Sequence, residues 1–290
     1  EVYRKGIRQE YTATISGAQE RMSFFSSLSY LNNQGITEKS DHERLSARLK
    51  ADYQATNWLK VGANMSYTKF EFNSLSNNGS DGSTANIWAF TSQIAPIYPL
   101  YIRDAMGRIM IDRYGFQMYD YGTGENAGAS RPYLPNSNAL QAATLDKNNS
   151  EGNAFNGSGY AEVKFLKDFT FTFNAGLGIQ ETRSTSVMNM YYGQYATMGG
   201  MIGKSHSRSM TLNLQQLLSW NRTFAGLHNV GVLLGHENYV ANTYSLSASK
   251  SQMFSMENDE LNGAVVDGKN SGSSFGEYNN EGYFIRAQYD

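Results

Sequence analysis

From position 45 to 55 the chain alternates without a break. Leu45, Ala47, Leu49, Ala51, Tyr53 and Ala55 fall on one side; Ser46, Arg48, Lys50, Asp52 and Gln54 fall on the other. Successive side chains of a strand point to opposite faces, so this pattern specifies a long strand with one apolar and one polar face. After the short turn Thr56, Asn57, Trp58 the alternation resumes. Leu59, Val61, Ala63, Met65 and Tyr67 face one way; Lys60, Gly62, Asn64, Ser66 and Thr68 face the other. Two alternating strands joined so tightly make a β-hairpin.

The same reading extends along the chain. Tyr11, Ala13 and Ile15 mark a first strand, and 22–31 a second in which Phe24 and Phe25 blur the two faces. Ala161, Val163 and Phe165 lead through Leu166, Lys167 and Asp168 into Phe169, Phe171, Phe173, Ala175, Leu177 and Ile179. Met210, Leu212, Leu214, Leu218 and Trp220 share a face interrupted by Gln216, and Val230, Val232 and Leu234 return after a turn. Tyr283, Ile285, Ala287 and Tyr289 close the series. This predicts about nine antiparallel strands of roughly ten to fourteen residues, beyond the usual strand and near the span of a bilayer.

The predicted connections alternate short and long. The short ones fall at 19–21, 56–58, 166–168 and 222–227; the long ones fall at 34–41, 74–157, 184–205 and 244–280. Barrels of the outer membrane have short turns at one end and long extracellular loops at the other. Such a barrel needs no long apolar run, and the sequence contains none of 18 residues or more. Trp58, Tyr67, Phe70, Phe165, Phe169 and Trp220 lie near predicted strand ends, where an interfacial aromatic girdle belongs. The predicted fold is all-β: an antiparallel transmembrane β-barrel segment with a long extracellular loop at about 74–157. Nine strands leave two unpaired edges, which lipid does not tolerate. The expectation is that residues 1–290 form part of a larger barrel.

Composition narrows the function. Charged residues make up 17%, below the ~25% of typical soluble domains, while aromatics reach 13%, with 20 Tyr. A net charge of -2 gives no basic surplus for nucleic acid. With no cysteine, disulfides and thiolate metal sites are excluded. The histidines 42, 206, 228 and 236 form no metal-binding pair, and no nucleophile elbow or phosphate loop occurs. The run 146–152 has oxygen-bearing residues at alternate positions but departs from a calcium loop in its Gly and its missing Glu. No catalytic residue, metal site or cofactor is expected.

The segment 86–124 is the richest candidate for binding. Its Trp88, Tyr98, Tyr101, Tyr114 and Tyr119 offer aromatic faces that can stack on sugars or on peptide side chains. The alternative is that they pack the loop against itself. Arg48, Lys50 and Asp52 fall on the polar strand face, which in a barrel looks into the lumen.

Several blocks, taken in order, carry a family resemblance. EVYRKG at 1–6, YTATISG at 11–17, FFSSLSYLNNQG at 24–35 and ERLSARLKADYQATNWLKVGAN at 43–64 resemble the early barrel of SusC/RagA-like TonB-dependent transporters. PIYPLY at 96–101, with Asp104 and Gly107, looks like their first large outer loop, and YFIRAQYD at 283–290 like a mid-barrel strand. The resemblance implies a 22-stranded barrel around an N-terminal plug, a SusD-like surface lipoprotein as a lid, and energy from the TonB complex. It implies uptake of oligosaccharides or peptides, mainly in Bacteroidetes. It also implies that Arg48, Lys50 and Asp52 support the plug or line the substrate path. Plug, TonB box and later strands have no counterpart in this sequence, so the chain is expected to supply wall and outer vestibule. A structural or adhesive β-protein is the competing reading, and an outer-membrane barrel enzyme a weaker one.

Overall fold

The computed structural model describes residues 2–75, 86–124, 126, 128–135, 137–193 and 195–290. The strands, in chain order, are β1 (Arg8–Gln19), β2 (Met22–Gln34), β3 (Asp41–Gln54), β4 (Leu59–Asn73), β5 (Lys147–Phe165), β6 (Phe169–Met188), β7 (Met201–Phe224), β8 (His228–Met253), β9 (Ala264–Asp267) and β10 (Gly272–Tyr289). Two short helices, α1 (Ile87–Gln93) and α2 (Ala139–Leu145), lie between β4 and β5. All strands belong to one antiparallel sheet in the order β1-β2-β3-β4-β5-β6-β7-β8-β10, with the short β9 paired to β8. Each long strand pairs with the next in sequence, the up-and-down pattern that the alternating connections predict.

Unbroken register ties the strand faces together. Met22, Tyr53, Val61, Ala161, Phe173, Gln216, His236 and Tyr283 are successive partners from β2 to β10. Partners share a face, so the apolar parity read from each strand falls on one side of the whole sheet. That side is bare: Leu45, Leu49, Tyr53, Met65 and Tyr67 are each more than 40% exposed. The opposite side is polar and concave, because one depression on it spans β3 to β7.

Three sequence expectations are corrected. First, β1 to β3 keep the expected ten to fourteen residues, but β4 to β8 and β10 exceed them: β7 has 24 and β8 has 26. The long connections shrink accordingly, to 74–146, 189–200 and 254–271. The segments 147–157, 184–188, 201–205, 244–253 and 272–280, expected in loops, continue the ladder. Second, β9 was not foreseen. Third, Phe70 leaves the expected girdle: it has the polar parity, and its ring approaches Gly152 from that side. Tyr67, Phe165, Phe169 and Trp220 do lie on the apolar side, whereas Trp58 is exposed in its turn.

Extra strand length builds a rim. On β4 the apolar stretch runs from Leu59 to Tyr67, and on β6 from Phe169 to Ile179. Each matches the ~9–11 residues that a tilted strand needs to cross lipid. Above this belt β5 to β8 continue by roughly eight residues, about 25 Å along the strand. On the outward side of that rim Val187, Ile202, Met253 and Ala264 are buried together under Met256 and Leu261. The connection 254–271 therefore folds back over the rim's outer flank. Lys147, Asp259, Lys204 and Glu260 form ion pairs that fasten it there.

Candidate lumen and vestibule site

The inner face carries a polar trough of about 510 Å³. Its floor is made of residues without bulk, among them Gly62, Gly159 and Gly176, and Lys50, Asp52 and Tyr160 stand along it. The Tyr160 hydroxyl donates to Asp52 Oδ1 at 2.7 Å, and Lys50 Nζ lies 3.6 Å from Asp52 Oδ2. Gly62 makes that bond possible: a Cβ there would sit 2.3 Å from the Tyr160 ring and 2.7 Å from Asp52 Oδ1. Arg48 stands just outside, its Nε donating to Asn64 Oδ1 at 3.1 Å. Asn174 Nδ2 donates to Gln215 Oε1, and Asn213 Nδ2 to Glu237 Oε1, each at 2.9 Å. Arg48, Lys50 and Asp52 thus share the polar, concave face of the sheet, and Lys50 and Asp52 line the trough. Sequence reasoning passed over Tyr160, although its parity within β5 marks it as inward.

Over the sheet's upper end the connection 74–146 folds on a small core of its own, Leu75, Ile87, Phe90 and Ala139. Each helix starts on an asparagine. Asn86 Oδ1 accepts from the N–H groups of Trp88 and Ala89, and Asn138 Oδ1 from those of Leu140 and Gln141. Such caps satisfy backbone donors that a seven-residue helix otherwise leaves open. Between the helices runs an eight-residue repeat: Asp104, Asp112 and Asp120. Asp104 Oδ1 accepts from the N–H of Met106 and Arg108, with Gly107 at φ 78°. Asp112 Oδ1 accepts from the N–H of Tyr114 and Phe116, with Gly115 at φ 86°. The two tight spurs close a triangle: Met110 N–H donates to Ile102 O, Met118 N–H to Met110 O, and Ile102 N–H to Met118 O. Hydrogen bonds from the Arg108 backbone hold the Asp104 carboxyl below the usual range.

The triangle decides which aromatics are available. Tyr119 is buried, its ring 5.3 Å from that of Tyr101, so it presents no face to a solute. Tyr101 and Tyr98 are half-buried. Trp88 is exposed on α1 with Tyr3 beside it at 5.3 Å, and Tyr3 Oη is 2.6 Å from Thr91 Oγ1. Tyr114 is exposed at the second spur, 4.8 Å from Tyr191 of the 189–200 connection. Tyr121 donates to Gln141 Oε1 and lies near Tyr192; burial pushes its hydroxyl pKa up. Tyr191 and Tyr192 were missed from sequence because their partners lie 70 or more positions away. Part of the connection, 76–85 with 125, 127 and 136, lies outside the described residues.

This arrangement defines a class. It is the wall of an up-and-down β-barrel with a lipid-suited outer face, a hydrated inner face and loops gathered over one end. No protein-family model matches the chain, and no curated protein matches it in sequence. Solved structures do match. A chain of the RagAB peptide transporter is 20% identical over 99% of this chain, with a TM-score of 0.72. A chain of the RagAB peptide importer in its 'closed-closed' state is 21% identical over 99%, with a TM-score of 0.76. The ferripyoverdine receptor of the outer membrane of Pseudomonas aeruginosa is 11% identical over 99%, with a TM-score of 0.51. The chain spans 30% of the length of the RagAB chains. These likenesses show the fold: this chain is built as a segment of an up-and-down β-barrel wall.

Proposed function

We propose that residues 1–290 form wall and outer vestibule of a TonB-dependent importer in the outer membrane. The observation that carries this reading is the two-faced sheet. A broad, bare apolar face backs a polar trough, and an ordered loop body stands over one end. Large continuous apolar surface on a folded chain marks contact with lipid or protein. In the complete barrel the free edges of β1 and β10 pair with further strands. Lys50 and Asp52 then face the plug and the solute path.

The cargo is a peptide or an oligosaccharide, held noncovalently. Trp88 and Tyr114 are the aromatics placed to stack on it, with Tyr98 and Tyr101 in support. Ile97 and Met106 are about 80% exposed at the loop surface, which supports docking of a SusD-like lipoprotein lid over this body. The TonB complex acts through the plug. The test is uptake by the full-length transporter in cells. Changing Trp88 and Tyr114 together to Ala should lower uptake severalfold at unchanged surface level; uptake at the parental rate would remove these loops from the solute path.

A further inference from the structure

Seven outward-facing cations lie above the apolar belt on β4 to β8. They are Lys69, Lys147, Arg183, Lys204, His206, Arg208 and Lys250. Five have carboxylate partners. Lys147 and Lys204 pair with Asp259, and Lys250 with Asp267. Arg183 lies 3.8 Å from Glu151, and His206 Nε2 lies 2.9 Å from Glu181 Oε1. Among the described residues Lys69 and Arg208 have no hydrogen-bond or ion-pair partner, and both are exposed. The two stand in one register row, Lys69, Asn153, Glu181, Arg208. On these four strands the row directly beneath, Tyr67, Phe155, Ile179 and Met210, is the last apolar one of the belt; the cation row itself runs on into Leu45 on β3 and Tyr244 on β8.

Unpaired cations at the upper edge of a lipid-facing belt are placed where headgroup phosphates lie. Resting on the membrane reading above, we propose that this row binds the headgroup of a phosphorylated glycolipid of the outer leaflet. Lys69 on β4 and Arg208 on β7 are three strand spacings apart, roughly 14 Å. A disaccharide headgroup reaches across that distance, whereas a single glycerol phosphate engages one end. Between the two cations the carboxylate of Glu181 is occupied by His206. Asn153 accepts from the Tyr67 hydroxyl at 2.6 Å and keeps its amide N–H groups for sugar oxygens. The acyl chains then lie on the rows below. Higher on the rim the acidic connection 254–271 neutralises the lysines, so anion binding is confined to the belt edge.

The test uses the full-length transporter in detergent. A phosphorylated disaccharide lipid and its dephosphorylated form are added separately, and bound lipid is counted by native mass spectrometry. Each cation near a charged membrane surface contributes about 1 kcal/mol, so Lys69→Ser with Arg208→Ser should weaken binding of the phosphorylated lipid roughly 30-fold. Lys69→Arg with Arg208→Lys should restore it, and Lys147→Ser should leave it unchanged. The dephosphorylated lipid should bind the parent as weakly as it binds the double Ser variant. Equal retention by parent and double Ser variant overturns the proposal, and so does a matching loss in Lys147→Ser. A nitroxide at position 49 in the same preparations reports lipid exposure on its own. A water-exposed signal there would sink the membrane reading, whereas a lipid-exposed signal with unchanged retention sinks only this proposal.

Discussion

The lower and upper halves of the sheet are one hydrogen-bonded ladder with two different surroundings. In the belt, neighbouring residues of a strand face opposite media, apolar on one side and aqueous on the other. Leu49 and Arg48 are adjacent in sequence and opposite in environment. In the rim both sides meet water or protein, so nothing enforces alternation. On β8 the serines 245, 247, 249 and 251 take one parity while Leu246, Ala248, Lys250 and Gln252 take the other. That is weak contrast, although the strand continues to Met253. Backbone pairing extends a strand; a difference between media makes it visible in sequence.

The largest effect should come from moving a charge across the sheet within the belt. Leu49→Arg is expected to cost the full-length barrel ~2–4 kcal/mol in a bilayer, measured by reversible unfolding into vesicles. Arg48→Leu, one residue away on the hydrated face, should change stability far less. Equal effects would erase the distinction between the faces. A smaller effect should mark the rim as packed protein. Ile202 is fully buried, and Ile202→Val should cost about 0.5–1.5 kcal/mol. The loss should appear as faster hydrogen exchange in 254–267, with the belt strands unchanged.

Weaker still is the ionic fastening of that flank. The hydrogen bond from Lys147 holds the Asp259 carboxyl below its ordinary 3.8. A depressed carboxyl pKa contributes stability above the unfolded value, and that contribution is lost as pH falls through the folded one. Protection of 254–267, corrected for the intrinsic pH dependence of amide exchange, should therefore be steady from pH 7 to 5 and fall below about pH 4. Asp259→Asn should show the faster exchange already at pH 7, by up to ~1 kcal/mol for a partly exposed pair. The smallest effect concerns the turn below the belt. Leu166 and Lys167 both sit at positive φ, 47° and 64°. Lys167→Gly relieves one of them and should stabilise the β5–β6 hairpin by under about 1 kcal/mol in the same unfolding assay.

Most of the wall was legible from sequence. All nine long strands, their order and the four tight turns follow from period two and turn chemistry. The strand tops were not, for the reason β8 gives. The site was legible in part. Arg48, Lys50 and Asp52 share the polar, concave side of the sheet, as their parity required. Trp88, Tyr98, Tyr101, Tyr114 and Tyr119 form one aromatic segment, but which of them keeps an open face depends on a triangle closed by Ile102, Met110 and Met118. Its signal, Asp104, Asp112 and Asp120 at intervals of eight with Gly107 and Gly115 three residues after the first two, was present and unread.

Oxygen and aqueous-quencher accessibility of nitroxides, placed singly along 43–54 and 201–209 of the full-length protein in bilayers, tests the central claim most directly. Positions 45, 47, 49, 51 and 53 should be oxygen-accessible and shielded from the aqueous quencher, with the reverse at the even positions. Along 201–209 no position should show the lipid signature. Uniform accessibility along 45–53, or lipid exposure at 204 and 206, would contradict the account.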